Sequence, residues 1–222
     1  RYLSGERADA RRSYQRKDPM KEIDVYQVLE GKNPKLARRV PRFVVDYLRR
    51  TIHEREVNEI LARFGDLEGI AFVRAALGYM NVRYHSVGME RLNPEGRYVF
   101  ASNHPFGGMD GLMLADEVAR YFGDVRVVVN DLLMYLGPLR GLFVPVNKHG
   151  RQDAGSVEAF NNAFASDVPI VTFPAGLCSR RRRGVVRDLE WKPNFVKKAA
   201  AYDRDVVPVY FNGRLSDFFY RL

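Results

Sequence analysis

Beyond Gly78 the chain changes rhythm, and this change constrains its fold more than any other feature. Short runs rich in β-branched and aromatic residues, Arg97–Ala101, Val125–Val129, Leu142–Val146, Val168–Phe173 and Val206–Phe211, predict strands. Between them lie helical stretches near Gly111–Phe122, Asp153–Ala165 and Pro193–Tyr202, the middle one placing Val157, Phe160 and Phe164 on one face. Strands separated by helices predict an α/β fold with a mixed or mostly parallel sheet flanked by helices. In such sheets ligands sit at the strand ends, which is where the unusual segments of this chain fall.

Upstream the pattern is helical. Pro41 suits a first helical turn, and Phe43, Val44, Tyr47, Leu48 and Ile52 follow at helical spacing. A second face runs through Val57, Ile60, Leu61 and Phe64 with Gly65 as its stop, and a third segment, Leu67–Gly78, is rich in Ala and Leu. The expected plan is a helical segment over residues 1–80 and an α/β domain over 81–222. The chain begins at Arg1 without Met and ends just after Phe218, Phe219 and Tyr220, so the sequence is expected to be a piece of a longer protein, cut at the C-terminus.

Composition adds boundaries. With 46% hydrophobic and 28% charged residues, the 222-residue chain suits a folded domain rather than disorder. The net charge of +9 favours a polyanionic partner without choosing between nucleic acid, an anionic membrane and an acidic carrier. Cys178 is the sole cysteine, so no intramolecular disulfide forms and a reducing compartment is expected. No apolar run nears the roughly 18 to 20 residues of a membrane span, and Arg1–Lys17 lacks the apolar core of a signal peptide.

Three segments carry candidate chemistry. In the first, Ser102-Asn103-His104-Pro105-Phe106-Gly107-Gly108-Met109-Asp110-Gly111, a histidine follows a strand. Histidine suits general-base work because it titrates near pH 6.5, and a carboxylate on its second nitrogen fixes the tautomer. Gly107 and Gly108 let the chain fold back so that Asp110 reaches His104. A turn with Asp110 capping a helix is an equally good reading of this pair taken alone. In the second, Phe173-Pro174-Ala175-Gly176 ends a strand, exposes backbone N–H groups, and precedes Ser179 and the run Arg180–Arg183. Those arginines suit phosphate or carboxylate, or form a solvated basic loop. In the third, Gly141–Lys148, an apolar strand ends in a cation.

Together these segments resemble the glycerolipid acyltransferase superfamily, to which the lysophosphatidate acyltransferases belong. Its first block is Asn-His, four residues, then Asp; Asn103-His104 is followed by five residues and Asp110. Its second, a Gly-led strand ending in Asp-Arg, is similar to Gly141–Lys148 with Asn147 and Lys148 in the last places. Its third, Phe-Pro-Glu-Gly, resembles Phe173–Gly176 with Ala175 for Glu, and its fourth resembles Val206-Val207-Pro208-Val209. The wording is most similar to a hemolysin-like bacterial branch that includes ornithine- and glycine-lipid O-acyltransferases. Asn33–Phe64 also looks like that branch's amino-terminal region.

The resemblance implies transfer of a fatty acyl group from an acyl carrier protein or coenzyme A thioester to a lyso-lipid hydroxyl. It implies His104 as base and Asp110 as its orienter. Asn103, Gly107, Gly108, Lys148, Phe173, Pro174, Gly176 and Arg180 are the expected substrate-binding residues. Loss of the Glu at Ala175 points away from lysophosphatidate and toward an acceptor carrying its own carboxylate, for the arginines to receive. Lysophosphatidate itself remains the alternative acceptor. A lipid or thioester hydrolase and a non-catalytic basic membrane-binding module are rivals from other classes.

The expected partners are a thioester carrier, a lyso-lipid and an anionic membrane surface, not nucleic acid. The expected location is peripheral, on the cytoplasmic face of the inner membrane. No cofactor or metal is expected, since His53, His85 and His149 lack ligand-spaced partners and no phosphate-binding glycine loop is present. Cys178 is expected to be a packed thiol rather than an acyl carrier. Phe43, Tyr47, Arg49 and Arg50 are expected either to meet a membrane or to pack on the α/β domain.

Overall fold

The computed structural model describes residues 22–32, 34–51, 53–146, 154–217 and 220. Among them, β1 (Tyr98–Ser102), β2 (Arg126–Asn130), β3 (Phe143–Val146), β4 (Ile170–Thr172) and β7 (Asp205–Val209) form one sheet in the order β3-β2-β4-β1-β7. Every neighbouring pair is parallel, so the fold is α/β and all five strands end on one edge. Pro145 and Pro208 both sit within strands, and those are the two edge strands, where a missing ladder N–H is tolerated. A separate antiparallel hairpin joins β5 (Arg180–Arg182) to β6 (Val185–Arg187).

Strand alternation divides the core in two. Phe100 and Tyr98 face α6 (Gly108–Phe122), meeting Leu114 and Val118, and share that layer with α4 (Glu54–Phe64) and α5 (Gly69–Tyr79) through Leu61, Phe72 and Val73. Val99 and Ile170 face the other way, against Phe164 of α7 (Ala154–Ala165) and Ala199 of α8 (Asn194–Ala201). Each fully buried side chain of this size contributes about 1.5–3 kcal/mol. The upstream helices α4 and α5 thus complete the same apolar layer as the sheet.

Three earlier helices, α1 (Val25–Lys32), α2 (Pro34–Ala37) and α3 (Arg42–Thr51), precede this layer. Asp24 caps α1 by accepting the Tyr26 N–H at 2.7 Å, and Asn58 exchanges hydrogen bonds with the Ile23 backbone at 2.6 and 2.8 Å. On α3, Val45 turns inward while Phe43 is 73% exposed and Tyr47 is exposed beside it. Arg49 is held by Asp24, Asp46 and Glu54. Gly65 stops α4 as expected, but with φ −64° rather than a left-handed turn. A Cβ there would come within 2.4 Å of the Leu61 carbonyl oxygen, so close backbone approach is what requires glycine.

The end of α7 is closed by two arginines. Buried Arg204 donates to the carbonyls of Ala163, Phe164, Ser166, Val168 and Tyr98. Arg97 adds bonds to Phe164, Ala165, Ser166 and Tyr202. These cations meet the carbonyls that a helix C-terminus leaves without partners, at the negative end of its dipole.

The connection after β1 runs by α6 to β2, and that after β4 runs by the hairpin and α8 to β7. Since α6 and α8 lie on opposite faces, the neighbouring strands β1 and β4 send their chains apart at their carboxyl ends. A crevice opens at such a switch point.

Candidate active site

The loop leaving β1 starts with Asn103, whose carboxamide donates to the Phe211 carbonyl at 3.0 Å and accepts the Phe211 N–H at 2.7 Å. This pair continues the β1–β7 ladder one step beyond the strand and commits the Asn103 side chain to the backbone. Pro105 to Gly107 then reverse the chain. Gly107 takes φ +68° and ψ −131°, and a Cβ on it would stand 3.1 Å from the Cys178 sulfur. Helix α6 begins at Gly108, three residues earlier than expected, which places Asp110 in its first turn.

That placement closes the five-residue gap. Asp110 Oδ2 lies 3.0 Å from His104 Nδ1 and accepts the Phe106 N–H at 2.8 Å. The Asp110 side chain is 0% exposed and that of His104 17%. Burial pushes the Asp110 carboxyl above its ordinary range, against the opposing pull of the His104 and Phe106 hydrogen bonds. The helix N-terminus also favours the ionised form. The N-cap of this helix is Gly107, with no side-chain cap, so the carboxylate stands in the first turn as the partner of the imidazole.

The second segment meets the first because β1 and β4 are neighbours, with Ala101 beside Thr172. Phe173, the next residue, stacks on the His104 ring with centroids 4.2 Å apart and planes at 29°. The turn closes through the Gly176 N–H to the Phe173 carbonyl at 2.9 Å, with Gly176 at φ +67° and Pro174 buried. The Ser179 N–H then donates to the His104 carbonyl at 2.8 Å.

One organiser was not anticipated. Asp188, just after β6, accepts the His104 backbone N–H at 3.1 Å and the Ser179 hydroxyl at 2.6 Å on Oδ1, and the Trp191 indole N–H at 2.9 Å on Oδ2. Both backbone groups of His104 are thereby fixed by the segment beyond β4. In sequence the only signal is an acid after the arginine run with a tryptophan three positions on.

Of the remaining expected residues, Gly108 is exposed, with open space where a Cβ would stand. Arg180 is exposed at the start of β5, its guanidinium 3.4 Å from the carbonyls of Cys178 and Ser179. Lys148 and Asn147 lie outside the described residues. Cys178 is half-buried, and burial pushes its thiol pKa up despite Arg180 nearby, which disfavours the thiolate that nucleophilic work needs.

A base held by a buried carboxylate, stacked on an aromatic ring and fixed through its backbone, can take a proton from a hydroxyl or from water. Comparison with known proteins narrows the chemistry. Over 201 residues the chain is 46% identical to the lyso-glycine lipid O-acyltransferase of Bacteroides thetaiotaomicron, covering 90% of this chain and 74% of that protein. It is 43% identical over 201 residues to the lyso-glycine lipid O-acyltransferase of Phocaeicola vulgatus, covering 90% and 72%. Residues 27–222, which include the whole sheet and both clasped loops, match the acyltransferase family. By extent and by identity alike, this chain belongs to the acyltransferase family and is an enzyme of acyl transfer.

Proposed function

We propose that the enzyme transfers a fatty acyl group from a thioester to the hydroxyl of a lyso-lipid whose head group is an amino acid, a lyso-glycine lipid foremost. The observation that carries the mechanism is the His104–Asp110 contact at the switch point between β1 and β4. Asp110 accepts a hydrogen bond from the Nδ1–H, which fixes the tautomer and leaves the Nε2 lone pair to accept the proton of the acceptor hydroxyl. As that proton moves, the hydroxyl oxygen bonds to the thioester carbonyl carbon. The carbon–sulfur bond then breaks, and the departing sulfur takes the proton back from the imidazolium. No acyl-enzyme forms in this scheme.

The acceptor assignment draws on the names of the two relatives and on Ala175, which stands where lysophosphatidate acyltransferases have Glu. Arg180 is the candidate partner for the acceptor's carboxylate, Lys148 a second cation for anionic substrate groups. The donor is an acyl carrier protein or coenzyme A thioester, and the chain works peripherally at the cytoplasmic face of the inner membrane. Among the described residues no helix is long and apolar enough to cross a membrane.

The test is ester formation from labelled acyl carrier protein or acyl coenzyme A with lyso-glycine lipid, lyso-ornithine lipid and lysophosphatidate. The expected order places lyso-glycine lipid first, and His104→Ala lowers the rate by about 10²–10⁴-fold. Undiminished transfer by His104→Ala overturns the mechanism, and a preference for lysophosphatidate overturns the acceptor.

A further inference from the structure

The hairpin between β4 and α8 supplies Asp188 at its base and Arg180, the candidate partner of the acceptor's carboxylate, at its start, yet the residues between these two have no part in the chemistry. Its turn is Arg183-Gly184, with φ of 50° and 81°, the two-residue form that suits strand twist. Arg180 pairs with Arg187, Arg181 with Val186, and Arg182 with Val185. Cross-strand partners share a face and successive residues alternate. One face therefore carries Arg180, Arg182, Arg187 and Val185, and the other Arg181 and Val186.

The second face is turned to the protein, with Val186 half-buried and Arg181 3.6 Å from Asp217. The first is exposed at all four positions, Val185 to 60%. Five arginines stand between residues 180 and 187 with no acid among them. Asp188 is committed inward to His104, Ser179 and Trp191, so the nearest exposed acid along the chain is Glu190.

We propose that this outer face docks on an anionic lipid bilayer, Arg182 and Arg187 meeting lipid phosphates and Val185 entering the headgroup layer. The proposal rests on the reading that the acceptor is a lipid, and it names the element that meets the membrane. Guanidinium groups bind phosphate oxygens in pairs. An exposed valine amid a basic face gains nothing from an acidic partner in water, whereas a bilayer interface favours it. Because Asp188 ties the hairpin's base to the His104 backbone, docking brings the base to the surface where a lyso-lipid resides.

The test sediments the full chain with vesicles of phosphatidylcholine alone and of equal parts phosphatidylcholine and phosphatidylglycerol, at low salt. The chain is expected to bind the anionic vesicles and not the neutral ones. Arg182→Gln/Arg187→Gln is expected to weaken that binding roughly 30-fold, about 1 kcal/mol per charge. Val185→Asp removes the part of the binding that survives high salt. The double variant keeps the parent's thermal transition and its transfer to a short-chain lyso-lipid dispersed as monomers. Equal binding to both vesicles overturns the proposal, as does parent-like vesicle binding by the double variant. So does a loss confined to acyl carrier protein. Vesicle binding is read without turnover, so a chain inactive toward every lyso-lipid overturns the acyl-transfer reading alone.

Discussion

Asp110 is held where a carboxylate is costly and useful at once. Its side chain is fully buried, which raises its pKa, and it accepts from both His104 and Phe106. A carboxyl whose folded pKa lies above the unfolded value, about 4, stabilises the fold fully below that value. The contribution is lost as pH rises through the folded pKa. Asp110→Asn stays neutral throughout, so the thermal stability of the parent relative to this variant should fall as pH climbs from about 4. A parent gaining stability over that range contradicts this assignment. Near neutral pH the variant should lose about 10²-fold or more in acyl-transfer rate, because an amide cannot offset the imidazolium charge. Asp188 acts by position. Asp188→Ala strands three donors and should lower kcat roughly 10- to 100-fold, whereas Asp188→Asn keeps the oxygen shared by His104 and Ser179 and most of kcat. Equal losses in the two variants refute the positioning role. At this scale His104 and Asp110 are legible in the sequence because only five residues separate them, within reach of one turn. Asp188 is 84 residues from His104, and only the fold brings the two together.

At the scale of elements, the sheet strands lie within a few residues of their expected places, because buried β-branched runs are bounded by Gly, Pro and polar residues. The hairpin is the exception. Consecutive arginines carry no alternation of polarity, so the run reads as a charged loop even though it pairs as β5 and β6. The closure of α7 is equally invisible, since Arg204 is 41 residues from Ala163, the first carbonyl of that helix it meets. It is nonetheless costly to lose. Burial and the neighbouring Arg97 lower the Arg204 pKa to about 10, so the guanidinium stays charged at neutral pH. Arg204→Leu strands several buried carbonyls and should destabilise the protein by about 3 kcal/mol or more in denaturant unfolding. A change under about 1 kcal/mol would show that water replaces the side chain freely.

For the whole molecule, the expected α/β class holds, and the sheet is parallel at every pairing rather than mixed. Among the described residues the helical spacing between Phe43 and Leu77 was legible, but the relation of these helices to the sheet was not, because periodicity shows that a face is apolar without showing what covers it. Ile60, Leu61, Phe72, Val73 and Leu77 lie in one cluster with Phe100 and Val118. Removing residues 1–80 would uncover that layer, so the remainder should show no cooperative thermal transition and should bind a hydrophobic dye. A sharp transition in the shortened chain would show that the sheet and its other helices are self-sufficient.

The order of strands in the sheet also bears on the enzyme's life on the ribosome. β1 is made first, but both its neighbours, β4 and β7, come later, and His104 is clasped by Ser179, Asp188 and, through Asn103, Phe211. At usual synthesis rates the catalytic loop waits on the order of ten seconds for those partners to emerge. A nascent chain therefore carries its base unassembled until translation of the sheet is nearly complete, and activity arrives in one late step.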